Sequence, residues 1–147
     1  MGARPYKRPE SVLVLACTAA GEVLMLRRRE PPDFWQSVTG SLRWGETARH
    51  AAQRELYEET GLRVGSALED CRHRERFPIV GPWRARYAPS ARFNLEHWFR
   101  ARLPARRTIR LNPAEHLEWR WLDAASAARI ASSWTNRAAI ERLVEVG

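Results

Sequence analysis

The stretch "GETARHAAQRELYEETG", Gly45–Gly61, decides how the rest of the chain is read. It has the composition of a helix. Thr47 is placed to cap its start, with Glu46 beside it at the positive end of the dipole. Gly61 is placed to end it, because glycine takes the left-handed conformation at little cost. Yet Glu55, Glu58 and Glu59 gather at the C-terminal end, where the dipole is already negative. Glu55 and Glu59 are four residues apart and share a face, where like charges repel by about 0.2–0.5 kcal/mol per pair. The dipole adds about 0.3–1 kcal/mol for each carboxylate. Ala48, Ala51 and Ala52 lie on the same stripe, so this face is expected to rest against protein, where burial sharpens the repulsion. Arg54 reaches Glu58 at i+4 and neutralises one charge at most. A divalent cation is expected to offset the rest: Mg²⁺, with Mn²⁺ as a substitute, takes carboxylate oxygens and keeps waters for phosphates. The competing reading is a solvated glutamate-rich helix held by surface arginines.

Around this helix the pattern alternates strands and helices. "SVLVLACT" is a continuous apolar run, as in a buried strand, and "GEVLMLRRR" is its hairpin-like partner. "FWQSVTG" reads as one short strand stopping at Gly40, followed by a loop to Gly45. Residues 64–76 and 93–103 hold further strands, and "LEWRWL" alternates as a strand should, with Trp119 and Trp121 facing the core. Asp123 is positioned to cap a short helix through Ile130. Residues 136–146 read as a final amphipathic helix.

The chain has 147 residues and an apolar share of 44 %, enough for one compact domain over 1–147. Cys17 and Cys71 form no CxxC pair, which suits a reduced compartment. The net charge of +8 points to acidic partners such as phosphates or nucleic acid. Lys7 is the lone lysine among 25 basic residues, so base composition also biases the count towards arginine. No segment reaches the ~20 apolar residues of a membrane span. Arg4, Lys7 and Arg8 before "VLVLACTAA" imitate a secretory leader, but the apolar core Val12–Ala16 is short and Pro9-Glu10 interrupts the approach. The "VLAC" stretch lacks the apolar run of a lipoprotein site, and Tyr6 stands where myristoylation wants Ser or Thr. The expectation is a cytoplasmic protein that does not enter membranes.

Gly40, five residues, Glu46, seven residues, then Arg54-Glu55-Leu56-x-Glu58-Glu59-x-Gly61-Leu62 resembles the signature of the Nudix hydrolases at each defined position over 40–62. The resemblance implies an α/β class, an α/β/α sandwich with a mixed β-sheet and a catalytic loop-helix-loop. It also implies Mg²⁺-dependent cleavage of a diphosphate linked to another moiety. Carried over, Glu55 and Glu59 are the main metal ligands, Glu58 a third candidate, and Arg54 and Glu46 supports, with the Gly40 carbonyl facing the metal. Glu115, in a loop before "LEWRWL", is a further ligand or base.

Beyond the box, "YKRP", "DFWQSVTGS", "RYAP", "EHL" with "WLDA", and the spaced "SW", "NR" and "AI" resemble a bacterial subgroup of that family acting on a pterin triphosphate in folate synthesis. Val38-Thr39-Gly40, in place of the common Pro-Gly-Gly, agrees with that subgroup. It nominates Lys7, Arg28, Thr39 and Ser133 as substrate contacts, and Phe77, Pro78, Ile79 and Val80 as a pocket wall. Lys7 and Arg28 suit triphosphate oxygens, and Phe77 suits a flat ring. Nucleoside triphosphates, 5′-triphosphate RNA and a catalytically silent nucleotide-binding regulator are the alternatives. His50, His73, His97 and His116 show no metal spacing and receive no role.

Overall fold

The computed structural model describes residues 6–144. The opening residues of the leader-like stretch, Arg4 included, and the last residues expected in the final helix lie outside that range. Seven strands form one mixed sheet: β1 (Glu10–Thr18), β2 (Glu22–Arg28), β3 (Trp35–Gln36), β4 (Val38–Ser41), β5 (Leu68–Pro78), β6 (Phe93–Leu103) and β7 (His116–Asp123). The main path runs β3-β2-β1-β6-β5, with β7 on β2 and β4 on β1. β1 and β6 are parallel, and the other pairs are antiparallel.

β1 is buried on both faces, which is why its sequence is apolar without alternation. One face packs Val12, Val14, Leu24, Leu26 and Phe99 under helix α1 (Ala48–Thr60), through Ala51, Ala52 and Leu56. The opposite face packs Leu13, Leu15, Met25 and Trp98 under α2 (Ala124–Ile130) and α3 (Trp134–Leu143). The result is helix, sheet, helix, as the resemblance implies.

The expected single strand over "FWQSVTG" is two strands. β3 pairs with β2 and β4 pairs with β1, so the chain changes partner at Ser37. Ser37 is held there by Asn136, whose Oδ1 accepts from the Ser37 N–H at 2.8 Å and whose Nδ2 donates to Ser37 Oγ at 2.9 Å. A hydrogen bond across 99 residues of sequence leaves no local signal. β1 thus meets β2 near its C-terminal end and β4 over its N-terminal half.

The caps behave as their chemistry dictates. Thr47 Oγ1 accepts from the His50 N–H at 3.1 Å, and Gly61 sits at φ 77° with its N–H on the Tyr57 carbonyl. Asp123 caps α2, while α3 begins two residues earlier than expected because Ser133 accepts from the Asn136 N–H. Residues 65–67 form a 3-10 turn before β5, which runs on to Pro78. Trp121 packs partly into the core, but Trp119 is exposed. Their expected shared burial fails because the β7 face carrying them is only partly covered.

Candidate active site

A cavity of about 1190 Å³ is lined by β4, the carboxylate face of α1, the Phe77–Val80 segment, the loop before β7 and the start of α3. Arg54, Glu55, Glu59, Gly40 and Glu115 line it, as do Lys7, Arg28, Thr39, Phe77, Pro78, Ile79, Val80 and Ser133. Glu46 and Glu58 do not. A second cavity of about 520 Å³, behind α1, has no carboxylate among its lining residues.

Helix periodicity carries Glu59 onto the buried side of α1 beside Leu56, where it is 2 % exposed. Burial, then the charges of Glu55 and Glu115, raises its carboxyl pKa well above the usual range. Its Oε2 has no hydrogen-bond partner. Its carboxyl also shares a hydrogen bond with that of Glu55, so burial favours a proton or a cation between the two acids. Glu55, raised chiefly by burial, is drawn back by Arg54.

Arg54 does more than the expected single neutralisation. Its Nε and Nη2 each donate to Glu46 at 2.8 Å, while Nη1 donates to Glu55 at 2.7 Å and to Glu58 at 3.3 Å. Nη2 also reaches the Ser41 carbonyl at 3.1 Å. The planar fork makes this possible, since five donors radiate from one rigid group. Glu46 is the anchor of that fork, with its pKa lowered to about 2, first by the Arg54 hydrogen bonds. Glu58 is the outer member, 46 % exposed and shared with Arg43.

Gly40 is required for space. A β-carbon there would stand 2.1 Å from Glu55 Cδ, so β4 and the Glu55 carboxylate meet where only hydrogen fits. Three consecutive arginines, Arg27 to Arg29, close β2 and follow it, and strand alternation and the bulge after Arg27 send them different ways. Arg27 pairs with Glu118 and Arg29 bonds the Pro113 carbonyl, which leaves Arg28 to line the cavity. Lys7 is exposed overall, yet crowding at its ammonium, followed by the charge of Arg86, lowers its pKa.

His116, given no role from the sequence, is buried beside Glu59, its Nε2 3.5 Å from Glu59 Oε1. Burial, then the charge of Arg28, lowers its pKa to about 4, so the ring is neutral at pH 7. One ligand atom each from Glu59, Glu115 and His116 lies within 4.8 Å of the others. The cluster fits a divalent cation. It offers hard oxygen donors, a neutral imidazole, and a buried carboxylate whose free oxygen a cation would satisfy. The signal for His116 was its adjacency to Glu115, not a histidine spacing. Trp83, also missed, lines the cavity and meets Phe34 edge-on at 6.1 Å between ring centroids.

The NUDIX domain profile matches residues 7–143. The chain is 48 % identical to the dihydroneopterin triphosphate diphosphatase of Escherichia coli K12, over 95 % of this chain and 94 % of that one. It is 39 % identical to the Haemophilus influenzae protein of the same name, over 93 % and 88 % respectively. The solved structure of the E. coli dihydroneopterin triphosphate pyrophosphohydrolase superposes with a TM-score of 0.87 at 48 % identity, covering 96 % of this chain and 98 % of that one.

Proposed function

Because the chain belongs to the NUDIX family, and is a hydrolase of that family, we propose that it is a Mg²⁺-dependent pyrophosphohydrolase converting dihydroneopterin triphosphate to the monophosphate and pyrophosphate in folate synthesis. Residues 1–147 act as one domain, with its box at 40–62. The single observation that supports the reading is the buried Glu59 grouped with Glu115 and His116, one ligand atom from each lying within 4.8 Å of the others.

Glu55, Glu59 and Glu115 would hold the cation, with the Gly40 carbonyl beside them and Glu58 at the rim. When bound, the cation neutralises phosphoryl charge and lowers the pKa of a water. Lys7 and Arg28 bind the triphosphate oxygens, and Thr39 adds a hydroxyl beside them. Arg54 holds the Glu55 carboxylate in position, and Glu46 holds Arg54. A carboxylate of the set takes the proton of the attacking water. The water oxygen joins phosphorus as the phosphoanhydride bond breaks, and pyrophosphate leaves. Phe77 to Val80 wall the pocket and Ser133 closes it from α3. The two unpaired thiols, Cys17 and Cys71, suit the reducing cytoplasm.

The test is pyrophosphate release with and without Mg²⁺ from dihydroneopterin triphosphate, nucleoside triphosphates and 5′-triphosphate RNA side by side. The pterin substrate is expected to lead by kcat/KM. The charge of +8 favours RNA as the second reading, and release from RNA above all others would replace the first. Binding without Mg²⁺-dependent release would leave a silent regulator.

A further inference from the structure

The segment before β1 is hydrogen-bonded on both flanks. On one, Trp44 Nε1 donates to the Tyr6 carbonyl at 3.0 Å and the Leu42 N–H to the Glu10 carbonyl at 2.8 Å. On the other, the Lys7 N–H donates to the Arg86 carbonyl at 2.9 Å and the Leu95 N–H to the Pro9 carbonyl at 3.1 Å. Residues 6–10 thus run between the loop that enters α1 and the stretch 86–95.

Arg8 ties this segment to that loop through its side chain. Its Nη1 donates to the Arg43 carbonyl at 3.0 Å and to the Glu46 carbonyl at 2.9 Å. Those carbonyls bound a tight turn. The Glu46 N–H donates to the Arg43 carbonyl at 3.0 Å, the Arg43 N–H donates to Glu46 Oε1 at 2.9 Å, and Gly45 takes φ 84° inside it. Arg8 Nη2 donates to Glu10 Oε1 at 2.8 Å, and His97 Nε2 stands 2.5 Å from Glu10 Oε2. Burial raises the Glu10 carboxyl, but the hydrogen bonds from His97 and Arg8 outweigh it and hold it below the usual range, so Arg8 meets a carboxylate. Arg8 lines the cavity beside Lys7, yet three of its five N–H donors are taken by protein.

The turn aims the Glu46 side chain. Glu46 holds Arg54 by two hydrogen bonds, and Arg54 holds Glu55. A turn free to shift carries all three with it. Resting on the hydrolase site proposed above, we propose that Arg8 is a positioning residue for phosphoanhydride cleavage. It fixes the Arg43–Glu46 turn and, through it, Glu46, Arg54 and Glu55. Lys7 keeps its own backbone bond to Arg86, so loss of Arg8 falls on kcat rather than on KM.

The experiment measures hydrolysis of dihydroneopterin triphosphate at saturating Mg²⁺ in the wild type, Arg8→Gln, Glu46→Gln and the double variant. Amide hydrogen exchange is followed on the metal-free wild type and Arg8→Gln. Arg8→Gln is expected to lower kcat by about tenfold with KM little changed. In the double variant the two losses do not multiply, because both act on one chain of bonds. The Arg43 and Glu46 amides exchange faster in Arg8→Gln, while the β1 amides keep wild-type protection. Glu10→Gln, which loosens Arg8 from its anchor, lowers kcat in the same direction by less. An unchanged kcat, a loss carried by KM, fully multiplicative losses or unchanged exchange at the turn each overturns the positioning role; a loss in KM assigns Arg8 to phosphate binding instead. A wild type that leaves the pterin substrate intact overturns the functional reading, and exchange at the turn then decides the Arg8 clamp by itself.

Discussion

The two polar regions of the cavity are built in opposite ways. The phosphate-facing region draws most of its groups from one contiguous segment, Gly40 to Glu59, with Lys7, Arg28 and Glu115 added from outside it. The second region draws Gln36, Asn94 and Glu96 from two strands far apart in sequence, and Thr135 from α3. In the first, like charges crowd together and demand a cation. In the second, neutral and acidic groups stand apart. Charge crowding serves bond cleavage and is tolerant of what the phosphate carries.

That division can be broken by substitutions that should lower kcat in the first region and leave it unchanged in the second. The largest effect is expected from Glu59→Gln. Its kcat should fall by roughly 10³-fold, while the melting temperature holds or rises, since a buried acid crowded by Glu55 and Glu115 is replaced by a neutral group. Turnover near the wild-type rate would detach Glu59 from the chemistry.

Gly40→Ala comes next. A methyl group cannot share space with Glu55, so the carboxylate must move. A misplacement near 1 Å costs about 10²-fold in rate. Stopped-flow measurement of the chemical step should place the loss in kcat.

Glu46→Gln loosens Arg54 without touching the cavity, with an expected drop of about 10- to 100-fold in kcat. It also carries a pH signature. The folded pKa of Glu46, about 2, lies below its unfolded value. Its contribution to stability is therefore complete above about pH 4.3 and is lost as the pH falls towards 2. Melting curves of wild type and variant should differ at pH 7 and converge near pH 2. A constant gap would place the stabilisation elsewhere.

The smallest effect tests the other region. Trp98→Phe removes one donor to Glu96 and some core volume. The melting temperature should fall, with kcat kept.

The same contrast explains what was legible in the sequence. α1, its caps and its carboxylates are local features, so spacing and helix geometry exposed them. Arg54 bridging three carboxylates was half legible: the i+4 reach to Glu58 follows from helix geometry, but the turn back to Glu46 depends on how the preceding loop folds. His116 was passed over because a lone histidine has no pattern, although Glu115 preceded it. Asn94 and Glu96 left a faint trace as two polar residues on the buried side of a strand that also carries Trp98. Gln36 left none, because its burial at the cavity arises where β3 and β4 part company at Ser37.

The sheet ends at β5, where Arg72, Arg74 and Arg76 stand exposed and the ladder is interrupted between Asp70 and Arg74. An open strand edge is ordinarily a template for another chain. Here a second copy approaching edge to edge would set guanidinium row against guanidinium row, across a ladder already out of step. The molecule thus guards itself from fibrous self-pairing by charge, and polyanions that screen those rows are the agents expected to lift the guard.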